Sequence, residues 1–362
     1  MIGWTLGRYF FIRYVQTTFY FLLGIFALAL LLDFTENASK LSNLPDYSVW
    51  AALALSGMRV PFLLQQMIPF VALFSAMATL ISLNRKYELV IARSVGVSAW
   101  QFLLPACFGA LMFGLATIFI LNPFAAYGFA KAEEIAAVWK NGKVTDVSAL
   151  RDPWLRQKTD EGETIIGAKS ILNSGATLVD ATFIQFDASK NIVQRYDART
   201  ATLKEGYWDL NDVTRFARGA EPGKLDHLQV PTQLRPEYVE EKLASPDTIP
   251  FTQLRRKIEV ARSFGYSANE FDMQYQSLLA LPALLMAMTL IAATVSLKFV
   301  RFGQSGAMIL GGVAAGFMLY VVSVLVKAFG NAGFVPPFVA AWVPVIIATF
   351  FGVSFLLHKE DG

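Results

Sequence analysis

The sequence is poor in the residues that build metal centres and disulfide frameworks. It has one cysteine, Cys107, and two histidines, His227 and His358. A single cysteine excludes an internal disulfide, and the two histidines lie far apart in segments of different character. We therefore expect no metal site made of histidine and cysteine.

Motifs for catalysis and nucleotide binding are also missing. There is no G-x-x-x-x-G-K-[ST] phosphate loop, zinc motif or G-x-S-x-G, and the Gly142-Lys143 pair has Ala137 and Val144 where the loop needs Gly and Ser or Thr. The apolar segments hold no Asp, Glu or His near their centres, where proton and ion relays place them. We expect no enzyme activity and no cofactor, so the energy for any work would come from a partner.

Charge is scarce as well. Only 16% of the residues are charged, whereas a soluble domain of this length is usually about a quarter charged. The net charge of +3 is too small to indicate nucleic-acid binding, while 55% of the residues are hydrophobic. The apolar residues concentrate at the two ends of the chain, which indicates a membrane protein with a polar insert.

Six segments are long and apolar enough to cross a membrane, a task that takes about 20 residues. They are 12–32, 58–83, 99–122, 277–297, 305–328 and 336–357. The first segment could be mistaken for a signal peptide because Arg8 and Arg13 precede it. It continues into DFTENASKLS without a clear cleavage site, so we interpret it as a retained span.

The basic residues of the short loops predict the orientation. If the N-terminus is cytoplasmic, the inside segments carry most of the Lys and Arg, namely Arg8, Arg13, Arg85, Lys86, Arg93, Lys298, Arg301 and Lys359. The outside loops carry Lys40 and the acids Asp33, Glu36 and Asp46, with Arg59 and Lys327 at span edges. The positive-inside rule then places both termini and the 84–98 loop in the cytoplasm, and residues 123–272 outside.

The long insert has the pattern of β-structure. Four stretches rich in β-branched and aromatic residues are separated by turn residues: ETIIGAKSIL, ATLVDATFIQFD, NIVQRYDARTATLKE and GYWDLNDVTRFA. This spacing predicts an antiparallel sandwich or jellyroll. After Pro250, apolar residues at helical spacing predict a short helix over 251–265.

The predicted fold is therefore a membrane α-helical protein of six transmembrane helices, arranged three plus three, with an inserted all-β, jellyroll-like domain. Residues 1–122 hold the first three spans with a cytoplasmic helix at about 84–98. Residues 123–272 form the β domain together with the helix at 251–265, and residues 273–362 hold the last three spans.

The loop NRKYELVIARSVGVSAW at 84–100 is predicted to form a short helix that ends at Gly96. At about 100° per residue, Tyr87, Val90 and Ile91 share one side, which we expect to lie against the spans or the membrane. The charged residues spread over the opposite side, with Leu89 and Ala92 among them. Leucine and a carboxylate presented together suit a groove on a soluble partner; a helix that merely joins two spans is the alternative.

Several short motifs resemble one family over nearly the whole chain. They are Arg8-Tyr9, Glu88-Leu89-Val90 followed by Gly96-Val97-Ser98, Asn122-Pro123 after the third span, Gln274-Tyr275, and Pro336-Pro337 before the sixth span. In these the chain resembles the LptF/LptG permeases, the membrane subunits of the ABC exporter that extracts lipopolysaccharide from the inner membrane. The ending LLHKEDG is more similar to the LptG type.

The resemblance implies an architecture of six spans and a β-jellyroll, in agreement with the pattern above. It also implies that the 84–98 helix is a coupling helix whose Glu88 seats in a groove of the ATPase, with Arg85, Leu89 and Arg93 as further contacts. The implied partners are an LptF-like permease subunit, an LptB-like ATPase dimer, and bridging LptC-like and LptA-like periplasmic proteins. The implied location is the bacterial inner membrane, with the β domain in the periplasm.

The implied substrate, lipopolysaccharide, needs cations for its phosphates and an apolar surface for its acyl chains. The candidate cations at the outer ends of the spans are Lys40, Arg59, Lys131 and Lys327. The candidate gate residues on the first and fifth spans are Phe26, Leu30, Phe317 and Val322. Snorkelling at the interface would also explain the cations, and simple contact with lipid would also explain the gate residues.

Two further features of the spans bear on that site. Asp33 stands where family members often have a lysine, and with Glu36 it would repel phosphate unless it is paired or bridged by a divalent cation. Gly312 and Gly316 in the fifth span permit close helix approach, either to the first span of a partner subunit or as general packing.

Three rival functions remain at this point. Another ABC-type permease, exporting lipoprotein or small molecules, is disfavoured because permeases of the MacB and LolC type usually have four spans with the large domain after the first. A membrane scaffold without transport would tolerate loss of Glu88. A lipid-modifying enzyme lacks any recognisable catalytic set.

Overall fold

The structure is a computed structural model of the full chain. It describes residues 4–41, 48–141, 154–159, 162–172, 177–186, 191–204, 206–217, 221–232, 246–263, 268–296 and 305–360.

The chain divides into a helical unit and a sheet unit. The helical unit comprises residues 1–42, 48–129 and 246–362, and the sheet unit comprises residues 43–47 and 130–245. The helix after Pro250, predicted as part of the β domain, belongs to the helical unit instead. The reason is packing: the Phe251 ring stacks on Tyr275 with centroids 5.1 Å apart, and Leu254 and Ile258 are buried.

Helices account for most of the helical unit, and several of them run well past the apolar stretch that predicts them. They are α1 (Trp4–Leu41), α2 (Val49–Arg85), α3 (Glu88–Ser94), α4 (Ala99–Ala116), α5 (Asn122–Asn141), α6 (Phe251–Ser263), α7 (Asn269–Ser296), α8 (Ser305–Asn331) and α9 (Pro337–Glu360). Within the part of the chain that the structure describes, six helical segments are long and apolar enough to cross a membrane, which confirms the predicted number. One of these segments is continuous from Ala99 to Glu133.

Helices α2 and α7 form the interior of the helical unit. In the apolar window of each, 61% of the residues are buried, against 6% in α1 and 11% in α8. The core around them contains Tyr14, Leu73, Leu285 and Met288. Most residues of α1 and α8 are therefore partly or fully exposed, as expected for helices that face lipid or another subunit.

The two glycines of the fifth span face α2 of the same chain. A Cβ on Gly316 would lie 2.3 Å from Leu73 Cδ2, and one on Gly312 would lie 3.0 Å from Met77 Cε. Of the two interpretations open from sequence, the contacts favour close packing within the chain.

A π-helical turn, Thr117–Leu121, joins α4 to α5. It ends at Asn122, whose buried side chain binds two other segments: its amide donates to Gln65 Oε1 at 3.3 Å, and its Oδ1 accepts the Phe251 backbone N–H at 2.7 Å. Asn122 therefore caps the N-terminus of α6 from 129 residues away. We call this contact the Asn122 clasp.

The sheet unit contains one antiparallel sheet in its described residues. Its strands are β1 (Trp154–Thr159), β2 (Gly162–Leu172), β3 (Thr177–Phe186), β4 (Ile192–Lys204), β5 (Tyr207–Ala217) and β6 (Gly223–Pro231), paired in chain order. The four β-rich stretches of the sequence correspond to β2 to β5. The predicted class, membrane helices with an inserted antiparallel β domain, is confirmed.

Along three neighbouring strands the regular alternation of buried and exposed residues is interrupted, and the interruptions lie at positions that are paired with one another. Along β3 the buried positions change from Leu178 to Ala181, and β4 and β5 shift at the residues paired with that level. Asp180 and Asp212 lie there with φ of +50° and +58°, a conformation that aspartate tolerates better than most residues. Local breaks of this kind bend a sheet while keeping its apolar residues on one face.

Candidate functional site

Two tight turns hold α3 at the end of α2. Tyr87 precedes the helix with φ of +60°, which breaks the chain direction after Arg85. At the other end the Gly96 N–H donates to Arg93 O at 2.9 Å and the Val97 N–H donates to Ala92 O at 3.1 Å, the two bonds of a Schellman motif. Gly96 has φ of +88°, so the prediction that it ends the helix is confirmed.

The predicted orientation of α3 is wrong. Leu89 and Ala92 are buried, at 3% and 7% exposure, whereas Tyr87, Ile91 and Val95 are exposed at 64%, 62% and 78%. Helical spacing places Leu89 and Ala92 on one face, but it does not say which face meets the protein. The charged residues beside Leu89 favoured a face exposed to solvent, but Leu89 is instead buried in an apolar cluster of the helical unit.

That apolar cluster fixes α3 to the helical unit. Leu89 packs in it with Phe10 of α1, Leu83 of α2 and Phe102 of α4. Leu89 is therefore an anchor within the chain and not, as predicted, a contact for a partner.

The charged residues of α3 make contacts at its edges. Glu88 lies in the first turn, where a carboxylate is favourable, and its Oε2 accepts the Tyr9 hydroxyl at 3.0 Å in an exposed position. The Arg93 guanidinium lies 5.7 Å from the centroid of the Phe102 ring. The outer surface of α3 thus presents Tyr87, Ile91 and Val95 beside Glu88; we call these four residues the α3 surface.

A cavity of about 540 Å³, open on one side to the surroundings, lies next to this end of α2. Its wall is mostly apolar, with Arg85 and Lys86 at the end of α2 also lining it. The remaining lining residues are Phe21, Phe74, Met77, Ala78, Ile81, Ser82 and Ile309.

At the opposite end of α2, Arg59 is held by neighbours in α1. Its Nη1 lies 3.8 Å from Asp33 Oδ1 and donates to Asn37 Oδ1 at 3.1 Å. Asn37 in turn donates to Asp33 Oδ2 at 2.6 Å and to Ser56 Oγ at 3.0 Å. Asp33, which the sequence predicts to repel phosphate, is therefore paired with Arg59. The charge of Arg59, a predicted headgroup cation, is largely offset by this carboxylate.

The other three predicted cations lie in different settings. Lys327 of α8 is partly buried, and its Nζ donates to Gln274 Oε1 of α7 at 2.9 Å. Lys131 of α5 is exposed and belongs to the sheet unit. Lys40 lies in the last turn of α1, and its side chain is outside the described residues.

The predicted gate residues lie on the two most exposed helices. Phe26 is 37% exposed and Leu30 is half-buried on α1. On α8, Phe317 and Val322 are 55% and 41% exposed. Their exposure is compatible with contact to acyl chains and equally with contact to bulk lipid.

Sequence reasoning missed three features of these sites. The Tyr9–Glu88 hydrogen bond joins residues 79 apart and leaves no local signal. The cavity depends on how three helices meet. The third feature is the contact between Asp33 and Asn37. Its four-residue spacing does predict it, because residues four apart share a helix face.

The comparisons with known proteins agree with this architecture. Residues 8–358 match the family described as "Lipopolysaccharide export system permease LptF/LptG". The chain is also similar to "Lipopolysaccharide export system permease protein LptG" of Haemophilus influenzae, with 22% identity over 365 residues, covering 99% of each protein. The match spans the helices on both sides of the sheet unit. This chain therefore belongs to the LptF/LptG family of lipopolysaccharide export system permeases.

Proposed function

We propose that this chain is the LptG-like permease subunit of an ABC transporter that extracts lipopolysaccharide from the inner membrane and passes it to a periplasmic bridge. The observation that carries the proposal is the family match over residues 8–358. In this role the chain pairs with an LptF-like subunit and an LptB-like ATPase dimer, which supplies the energy. LptC-like and LptA-like proteins form the bridge.

We propose the α3 surface as the place where the ATPase docks. It supplies exposed apolar side chains for burial and, in Glu88, a carboxylate for a basic partner residue. Arg93, beside Phe102, is a second charged contact. Leu89 is left out because it is buried, and Arg85 because it lines the cavity.

Affinity purification of the full chain in mild detergent tests this docking. Glu88→Ala should reduce recovery of the ATPase subunit about tenfold or more, because truncating one partner of a desolvated charge pair costs about 2–5 kcal/mol. Lipopolysaccharide extraction should fall with it. Glu88→Gln tests the charge, since it keeps the size of the side chain and an oxygen for the Tyr9 hydroxyl.

The matched control is Glu259→Gln on α6, an exposed glutamate elsewhere in the helical unit. It should leave ATPase recovery unchanged. If the wild-type chain is recovered without any ATPase, or Glu88→Ala extracts lipid normally, the proposal fails and a scaffold function is favoured.

The proposed orientation puts both termini and α3 in the cytoplasm and the sheet unit in the periplasm. The basic residues near α3 support it. With Cys107, the single cysteine, replaced by Ala, a Ser94→Cys variant should react with a membrane-impermeant maleimide only after the inner membrane is opened. A Lys224→Cys variant in β6 should react without opening it. The reverse pattern would overturn the orientation.

For the headgroup we propose Lys40 and Lys131, which follow the first and third spans. Arg59 is left out because Asp33 offsets its charge, and Lys327 because it donates to Gln274. For the acyl chains we propose Phe26, Leu30, Phe317 and Val322. A photo-crosslinking amino acid at Phe26 or Phe317 should capture lipopolysaccharide during transport, whereas one at Phe350 of α9, which is 68% exposed, should capture far less. Equal capture at all three would mean contact with bulk lipid only.

For the transfer to the bridge we propose strand addition at an edge of the sheet. The two edges in the described residues are β1 and β6. Crosslinkers at Arg156 in β1 and Leu225 in β6 should differ in capture of the bridging protein, and the edge that captures it is the docking edge. Capture at neither would contradict strand addition.

A further inference from the structure

The cavity beside α2 combines an apolar wall with two cations at one end. Phe21 of α1, Phe74 and Ile81 of α2, and Ile309 of α8 contribute to the apolar wall. Its volume of about 540 Å³ falls within the range of small-molecule sites. An apolar space of this kind between membrane helices suits a hydrocarbon chain better than a polar metabolite.

The cations at the end of α2 are available to bind. The side chains of Arg85 and Lys86 are exposed and make no hydrogen bond or ion pair with the described residues. The acid that follows them closely in sequence, Glu88, accepts the Tyr9 hydroxyl. Two adjacent cations without a carboxylate partner favour an anionic group, and phosphate is the anion that Lys and Arg most readily hold at a membrane surface.

The two cations lie at the end of the helical unit that carries α3, away from Asp33, Asn37 and Arg59. A phosphate placed on them belongs to a lipid of the leaflet that meets the α3 end. Arg59 and Lys327, the candidate headgroup cations that belong to the helical unit, are held by Asn37 and Gln274 away from the cavity lining, so we assign the phosphate on Arg85 and Lys86 to a second lipid.

We propose that the cavity binds an anionic phospholipid, with an acyl chain along Phe21, Phe74 and Ile81 and its phosphate on Arg85 and Lys86. Basic pockets between membrane helices bind acidic headgroups by this arrangement. The site does not depend on lipopolysaccharide or on an ATPase, so it stands apart from the proposed transport function.

Native mass spectrometry of the full chain, purified in mild detergent with any partners that it retains and exchanged into mixed phosphatidylglycerol and phosphatidylethanolamine, measures the binding. The wild type should retain phosphatidylglycerol preferentially. Arg85→Gln and Lys86→Gln should each reduce its retention about fivefold, the effect of roughly 1 kcal/mol per cation. Ala78→Leu, which narrows the cavity, should reduce retention of both lipids.

Arg8→Gln is the matched control, because Arg8 is exposed near the same end of the unit but does not line the cavity. It should leave the preference unchanged. If Arg8→Gln lowers retention as much as Lys86→Gln, the attraction is general surface charge and the site is refuted. Equal retention of the two phospholipids by the wild type refutes it as well.

A photo-crosslinker at Ile81 identifies the occupant directly. A phospholipid adduct supports the proposal, and a polypeptide adduct shows that a partner helix fills the cavity instead. Both experiments run without ATP or lipopolysaccharide, so failure of ATPase recovery in the Glu88 experiments leaves their result unaffected.

Discussion

At one end of the helical unit charged side chains bind neighbours in the chain, whereas two cations at the end that carries α3 bind none of the described residues. Asp33 pairs with Arg59, Arg262 contacts Asp272 at 2.6 Å, and Lys327 donates to Gln274. Arg85 and Lys86 show no such partner among the described residues. A charged side chain that binds a neighbour in the chain contributes to the stability of the fold. Arg85 and Lys86, by contrast, are available to bind a ligand or another protein.

The largest effect on stability is expected within α3 itself. Leu89→Ala should destabilise the chain by about 2–4 kcal/mol, because it leaves a cavity among Phe10, Leu83 and Phe102. Ile91→Ala, at an exposed position of the same helix, should change stability by less than about 0.5 kcal/mol. Thermal unfolding in detergent measures both, and equal effects would contradict the orientation of α3.

The second largest effect on stability is expected where Asp33 pairs with Arg59. Asp33→Ala should cost about 1–3 kcal/mol, less than a fully buried pair because Arg59 is about one-third exposed. Adding Arg59→Met should recover part of the loss, since no unpaired cation then remains. A double-mutant cycle measures the coupling, and simple additivity would show that the two residues act independently.

The contact between α7 and α8 should give a smaller loss. Gln274→Leu removes the acceptor for Lys327 and should cost about 1–2 kcal/mol. Lys327→Met in the same chain should restore most of it. If Gln274→Leu is as stable as the wild type, the hydrogen bond contributes little and Lys327 is available for the headgroup after all.

The smallest effect on stability is expected at Lys86, at the end of the helical unit that carries α3. Lys86→Gln should change the free energy of unfolding in lipid-free detergent by less than about 0.5 kcal/mol, as expected for an exposed side chain that binds none of the described residues. A loss comparable with that of Asp33→Ala would erase the distinction between the two ends.

Local patterns in the sequence predict most of the fold but little of its contacts. The six spans and four of the strands follow from hydrophobic length and period. The edge strand β6 was missed because GKLDHLQVP has few β-branched residues and ends in proline. The face of α3, the partner of Arg59 and the cavity depend on which helices meet, and residues such as Tyr9 and Glu88 carry no signal of a contact 79 positions away.

The Asn122 clasp has a consequence for how the chain is assembled. It joins the residue that closes the π-helical turn to the first residue of α6, and nearly the whole sheet unit lies between them. Closing a loop costs conformational entropy that grows only slowly with its length, by about 0.6 kcal/mol for each doubling. A change in the length of the segment between Asn122 and Phe251 should therefore cost the helical unit little free energy of folding, provided that this hydrogen bond is kept.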